Sequence, residues 1–481
     1  MRTFEVAIVC LSIASLVAAR AFSKTAATGR WTTCKWFCFL LLLIAVAAHL
    51  LMEGAHWQMA PLYLAILLIA AFLSPRFSRA WRIAVAVPAL LLIVLSCGLA
   101  FVLPMFKLPA PTGKYAIGTR ILNMTDSSRK EDADPTGRRF RELVIQIWYP
   151  ALPSHNPRAP YRRRIETSLA SSYQSVDWTH ARYDAPAADA TGGFPILLYN
   201  PGWNGRRTQD TPLIEELASH GYVVVAIDHP YNSGPAALSG GRVIHPVSSP
   251  ELSDDVTTEK ALYALINREV DKETSDTIFV LAQVEHWNDD PASPFYHRLD
   301  LSKIGTLGYS LGGLVAAETA WRAPRVGAVL VLDTPLYGEA GKNGITQPFM
   351  LICEDLVHST PEQLAHMSFG ERRNTTMDEQ DYDRQLPLFQ RPGNYELEVH
   401  GAIHTSFQDI ALTSPLKSIS NAGDIPPRRM ITILRQYSVA FFDQSLRGMS
   451  SPLLASKTSP FPEVGVIFSS PARQTSAVNP H

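Results

Sequence analysis

Hydrophobic positions along the chain follow two rhythms. Through residue 104 they gather into four long apolar runs, at about 4–19, 36–52, 59–73 and 83–103. At 1.5 Å rise per residue such runs approach the length a bilayer requires, the first and third at its short limit. The pattern predicts an N-terminal multi-span α-helical membrane region of about four helices over 1–104. In the first run, Glu5 and the short apolar stretch would also suit an interfacial helix or the core of a signal peptide.

Residues 105–113, rich in proline and small side chains, read as a linker. Beyond them short apolar runs at 143–148, 196–199, 222–227, 304–307, 326–332, 349–353 and 395–399 predict strands. Helical patterns lie between or after these runs, at 211–220, 257–270, 276–287, 311–321 and 429–446. Strands alternating with helices imply a doubly wound, mostly parallel sheet, hence an α/β domain over 114–449. Residues 367–392 are polar and read as either a lid or a disordered insertion. A tail over 450–481 mixes Ser and Pro with one apolar run at 464–468 and is expected to be partly ordered.

Charge sharpens the division. Residues 1–104 carry eight Lys/Arg and two Asp/Glu, against 35 and 42 in the rest of the chain. Arg20, Lys24, Arg30 and Lys35 lie between runs one and two, and Arg76, Arg79 and Arg82 between runs three and four. Placing both basic loops in the cytoplasm puts the exit of the fourth run, and the domain after it, on the far side of the membrane. No concentrated basic face is present, which argues against a nucleic-acid partner. Of five cysteines only Cys353 lies in the 114–449 domain, so no disulfide can form within it, and its apolar neighbours suit a buried strand position.

Candidate chemistry centres on Gly308-Tyr309-Ser310-Leu311-Gly312. It follows a predicted strand and opens a predicted helix, as the nucleophile elbow of an α/β-hydrolase does. A serine hydroxyl needs a base to take its proton and an acid to hold the resulting imidazolium. His404, in the loop after the 395–399 strand, is the expected base, with His400 its rival. For the acid, two strand ends compete, Asp333 and the pair Glu354-Asp355. An oxyanion would meet the backbone N–H of Leu311 and a second N–H from Asn200-Pro201-Gly202-Trp203. Pro201 has no N–H, so Trp203 is the expected donor. No metal site is expected: Gly401 disfavours a helix that would bring His400 and His404 to one face, and HExxH is absent.

These motifs resemble the lipoprotein-associated (type II) platelet-activating factor acetylhydrolases and their bacterial α/β-hydrolase relatives. The likeness runs from about residue 114 to 448. It rests on Gly113 to Gly118, Ile147-Trp148-Tyr149-Pro150, Asn200 to Trp203, His220 to His229, the elbow, Leu332-Asp333, and His404-Thr405-Ser406-Phe407-Gln408-Asp409. The resemblance implies that Asp333 is the acid, His404 the base and Trp203 the second oxyanion donor. It also implies a carboxylic ester hydrolase of the serine esterase or lipase type that needs no cofactor. The chain departs from the family at Tyr309, where relatives often have His, and at Asn200-Pro201, where they have Ser-His.

The combined expectation is an α/β-hydrolase fold preceded by membrane helices. Its substrate would be a small-molecule or lipid ester, including short-acyl or oxidised phospholipids. The expected location is the bacterial inner (plasma) membrane, with the catalytic domain extracytoplasmic. An acyltransferase using the same triad and a non-catalytic membrane sensor or scaffold are the competing readings. Oligomeric state is not legible in the sequence.

Overall fold

The computed structural model describes residues 2–21, 29–74, 78–247, 256, 258–456 and 458–467. The basic-loop residues 22–28 and 75–77, and 468–481 of the expected tail, lie outside the described residues. The chain forms two compact units.

The first unit comprises Met1–Lys107, Pro160–Trp178 and Leu412–Ser420. Four helices dominate it: α1 (Thr3–Ala21), α2 (Gly29–Met52), α3 (Ala60–Leu73) and α4 (Arg79–Val102). Leu62, Ile66 and Ile69 of α3 are buried, yet Leu51, Leu67 and Leu91 are 86%, 66% and 64% exposed. A helix in water shows a polar outer face; these helices are apolar outside as well as inside. By length and composition Lys35–Met52 and Ala80–Val102 suffice to cross a bilayer, whereas Thr3–Ala18 and Trp57–Leu73 are apolar but shorter. The distant stretch Pro160–Trp178 joins these helices through polar contacts: Arg2 pairs with Asp177 at 2.9 Å, and Trp57 Nε1 donates to Ala170 O at 3.0 Å.

The second unit is built on one large sheet. Its strands are β1 (Ala116–Lys130), β2 (Phe140–Ala151), β3 (Arg158–Pro160), β4 (Trp178–Tyr183), β5 (Phe194–Asn200) and β6 (Val223–Asp228). A separate two-stranded ribbon, β7 (Ala236–Ala237) and β8 (Val243–Ile244), precedes β9 (Leu299–Tyr309), β10 (Val326–Leu332), β11 (Phe349–Cys353), β12 (Tyr395–Val399) and β13 (Val464–Ile467). The order across the sheet is β13-β12-β11-β10-β9-β5-β6-β2-β1-β4-β3. From β12 to β6 all neighbours are parallel, while β2 joins β6, β1 joins β2 and β13 joins β12 antiparallel.

Every residue of β5 and β6 is buried, which suits the continuous apolar runs of parallel strands covered on both faces. One face packs under α5 (Thr211–Ser219), the other under α6 (Glu259–Asp289) and α7 (Leu311–Arg322). After these come α8 (Phe369–Gln385) and α9 (Pro427–Arg447), the latter lying on the α5 face through Met430, Ile433, Tyr437 and Phe441. Helix α9 stops at Gly448, whose φ of 67° is the left-handed cap conformation that glycine adopts without strain. The result is a mixed α/β fold of the α/β-hydrolase kind.

Several elements differ from the sequence expectation, among them the short strands β3, β4, β7 and β8, which no apolar run marks. The helices expected at 257–270 and 276–287 are one helix, α6, because Glu273, Thr274 and Asp276 interrupt the apolar pattern while facing inward. The segment 367–392, expected as either a lid or a disordered insertion, contains the ordered helix α8, started by a capping box between Ser368 and Glu371. Strand β1 is buried at Ile117–Thr119 but mostly exposed or half-buried beyond, and it mixes Thr, Arg, Asn, Asp and Ser, so no apolar run marks it.

Candidate active site

The C-terminal ends of β9, β10 and β12 lie along one edge of the parallel sheet, where open α/β sheets place their ligands. Ser310 stands between β9 and α7 with φ 53° and ψ −127°, a conformation that L-residues rarely adopt. Its flanking glycines explain how this turn fits. A Cβ at Gly308 would stand 2.0 Å from the carbonyl oxygen of Gly312. The strained serine is held by its own N–H, which donates to Leu332 O at 2.9 Å.

Asp333 follows β10 with φ 54°, and its N–H donates to Ile352 O at 2.9 Å. The carboxylate is buried and lies between two partners: Oδ1 accepts the Glu354 N–H at 2.7 Å, and Oδ2 sits 2.6 Å from His404 Nδ1. His404 Nε2 is 3.0 Å from Ser310 Oγ. The structure therefore brings Ser310, His404 and Asp333 into one hydrogen-bonded line. Of the rivals, His400 and Asp355 pair with each other instead, His400 Nδ1 with Asp355 Oδ1, and Gly401 N–H donates to Asp355 Oδ2 at 3.3 Å. Packing around the His404 ring opposes its charge. The hydrogen bond and charge of Asp333, helped by Glu354 and Asp378, prevail and hold the imidazole above the ordinary histidine value.

Glu354 belongs to this site without belonging to the line. Burial, then the charge of Asp333, pushes its carboxyl up to about 7. The group faces the same cavity as Ser310 and His404, a space of about 390 Å³ whose apolar wall includes Leu262, Leu314, Tyr337 and Met377. Helix α8 supplies Met377, Asp378 and Tyr382 to that wall and is fastened by Tyr263 OH donating to Asp381 at 2.5 Å.

On the opposite side of the serine, the 200–205 loop packs closely. A Cβ at Gly202 would lie 2.8 Å from the Tyr309 ring and 3.1 Å from Ser310 Cβ, so Trp203 follows a residue that only glycine can supply. Gly202 N–H donates to Gln209 Oε1 at 3.0 Å, Gln209 Nε2 to Gln408 Oε1 at 2.7 Å, and Gln408 Nε2 to Tyr309 OH at 2.7 Å. Tyr309 OH in turn donates to His404 O at 2.9 Å. This chain ties the loop before Trp203 to the loop carrying His404. The sequence reading gave neither Gln209 nor Gln408 a role, since glutamines carry no spacing signal.

A second, deeper network steadies the same loop. Asn200 Oδ1 meets His229 Nε2 at 3.1 Å and Thr277 Oγ1 at 2.8 Å. His229 Nδ1 meets Asp276 Oδ2 at 3.0 Å, and Asp276 accepts from Arg141 and Arg129, each at 2.7 Å. Burial would raise the Asp276 carboxyl, but the charge of Arg141 and its hydrogen bonds hold it far below the usual range. A hydroxyl aligned on an imidazole that is itself aligned on a buried carboxylate is an arrangement suited to acyl transfer.

A model of the family described as platelet-activating factor acetylhydrolase, isoform II, matches residues 162–450. A probable 1-alkyl-2-acetylglycerophosphocholine esterase of Arthroderma benhamiae is 24% identical over 397 residues, covering 75% of this chain and 93% of the relative. The platelet-activating factor acetylhydrolase of Cavia porcellus is 23% identical, covering 70% and 78%. Among solved structures, a ferulic acid esterase from Streptomyces cinnamoneus superposes with a TM-score of 0.58 at 27% identity, covering 76% of this chain and 99% of that one.

Proposed function

The chain belongs to the platelet-activating factor acetylhydrolase isoform II family and is a carboxylic ester hydrolase, and from that premise we propose that Ser310, His404 and Asp333 are its catalytic triad. The observation that carries this reading is the pair of distances that link the three side chains, 3.0 Å and 2.6 Å. Ser310 Oγ attacks the ester carbonyl while its proton passes to His404 Nε2. Asp333 holds the Nδ1–H tautomer and balances the imidazolium. The tetrahedral oxyanion lies against the N–H groups of Leu311 and Trp203. Collapse expels the alcohol, which takes the proton from Nε2. Water then attacks the acyl carbonyl as His404 takes its proton, and collapse returns that proton to Ser310 Oγ and releases the carboxylic acid.

The substrate in this reading is a small carboxylic ester, with short-acyl or oxidised phospholipids as its membrane-borne members. A cavity of this volume suits a compact acyl group. Residues 1–104 act as a membrane anchor, 105–113 as a linker and 114–449 as the catalytic domain, to whose sheet the tail over 450–481 adds β13 as an edge strand. The apolar exterior of α2 and α4 supports the anchor, and the basic loops support an extracytoplasmic catalytic domain.

The test is to reconstitute the full chain in vesicles and compare aryl acetates with short-acyl and long-acyl phosphatidylcholines. Turnover of both aryl acetates and short-acyl lipids is expected. Turnover of the aryl esters with none of any lipid would remove the phospholipids from the proposal.

A further inference from the structure

The first unit contains polar groups that an apolar helical bundle has no structural reason to bury. Glu5 in α1 and His49 in α2 are fully buried, as is the His56 ring, and Glu53 is only 13% exposed at its side chain. Ionisable groups buried among such helices are costly and are kept where they do something.

Their geometry is convergent. One ligand atom each from Glu5, His49 and Glu53 can be chosen within 4.8 Å of one another. His49 Nδ1 and Glu53 Oε2 are 3.0 Å apart, close to the roughly 3.3 Å edge of a tetrahedron with zinc-type bonds. His56 stands outside this set of three, its Nε2 3.0 Å from Glu5 Oε1. The remaining atoms of the three side chains are already occupied. Glu5 Oε2 accepts Arg2 N–H at 2.9 Å, Glu53 Oε1 accepts Phe4 N–H at 3.2 Å, and His49 Nε2 meets Tyr63 OH at 2.8 Å. Such outer partners orient ligating imidazoles and carboxylates in metal sites.

His56 supplies an independent argument. Gln58 Nε2 donates to Leu103 O at 3.2 Å, so its Oε1 faces His56 Nδ1, 3.0 Å away, and Nδ1 must carry the hydrogen. In the neutral ring Nε2 then presents a lone pair to the Glu5 carboxylate at 3.0 Å. Two electron pairs cannot face each other there without a nearby cation or a proton on one of the two groups. Asp177 Oδ1 holds the Arg2 side chain at 2.9 Å.

We propose that Glu5, His49 Nδ1 and Glu53 Oε2 form a three-ligand binding site for one divalent transition-metal cation of the zinc class, with His56 as the outer partner that orients Glu5. Mixed imidazole and carboxylate donors in a compact set favour such ions over calcium or magnesium, which prefer oxygen alone. The ion would cross-link the start of α1 to the end of α2 and the turn that follows it.

The experiment uses the full-length, tag-free protein in detergent, stripped with a chelator and titrated with Co²⁺ as a spectroscopic probe, then with Zn²⁺ in competition. About one ion per chain with the visible absorption of four-coordinate cobalt is expected, displaced by zinc. Glu5→Gln and His56→Gln should each weaken binding by at least about tenfold while aryl-ester turnover persists, showing that the catalytic unit is folded. If the variants fail to fold, the parent spectrum alone decides. A parent that takes up no cobalt, or variants that bind it as the parent does, would overturn the site and leave His56 as an imidazolium paired with Glu5. Ester turnover reads the proposed triad separately, so the failure of one reading is distinguishable from that of the other.

Discussion

A Cβ at Gly312 would stand 2.0 Å from the carbonyl oxygen of Asn200. The first turn of α7 therefore lies against the end of β5, and Ser310, two residues earlier, owes its position to that contact. Gly312→Ala must push the two apart. Such overpacking typically costs about 1–3 kcal/mol, and displacement of the nucleophile should lower kcat/KM by about 10²-fold or more. Melting temperature and turnover, measured together, check this; an alanine variant of parental activity would contradict it.

Glu354 and His404 give a prediction in pH. A base must be neutral to accept the Ser310 proton, so activity rises with pH through the His404 pKa, which its carboxylate neighbours hold up. Removing the Glu354 charge makes the imidazolium less favourable. Glu354→Gln should therefore move the acid limb of the kcat/KM profile to lower pH. A limb that stayed in place or moved upward would show that Glu354 does not act on His404.

The buried pair of Asp276 and Arg141 gives a prediction in stability. Asp276→Asn leaves the Arg141 guanidinium, 2% exposed, without its main counter-charge. Breaking one partner of a buried ion pair costs about 3–5 kcal/mol. Denaturant unfolding should show a loss of that size, with the midpoint shifted and the m-value unchanged. A loss below about 1 kcal/mol would mean that Glu131 and solvent compensate.

Tyr309 links the His404 loop to the Gln408 and Gln209 chain. Tyr309→Phe removes two hydrogen bonds, each worth about 1 kcal/mol. A fall in kcat of roughly tenfold with little change in KM is expected, because the contact positions the base rather than the substrate. A rise in KM at constant kcat would instead place Tyr309 against the bound ester.

Much of the fold was legible because buried parallel strands announce themselves. The residues of β5, β6, β10 and β11 form continuous apolar runs, and α9 carries a clear helical period. What escaped detection was polar and held by tertiary contacts. Strand β1 depends on its ladder with β2, and the middle of α6 is joined through Asp276 and Arg141, a pairing 135 residues apart in sequence.

At the site, Gly308, Ser310 and Gly312 were conspicuous because a strained turn demands small neighbours. The choice between Asp333 and Glu354-Asp355 was not available from spacing, since all follow strands on the same edge. The structure places Asp333 beside His404 and pairs Asp355 with His400. Gln408 and His229 stand inside motifs visible in the sequence, but their roles, like that of Gln209, arise only when distant loops meet.

The nucleophile assignment is tested most directly by treating the full-length protein with a fluorophosphonate and locating the adduct by peptide mass spectrometry. A single adduct on the peptide containing Ser310, absent from Ser310→Ala and strongly slowed in His404→Ala, is the predicted result. An adduct on another serine, or labelling of Ser310→Ala at the parental rate, would contradict it.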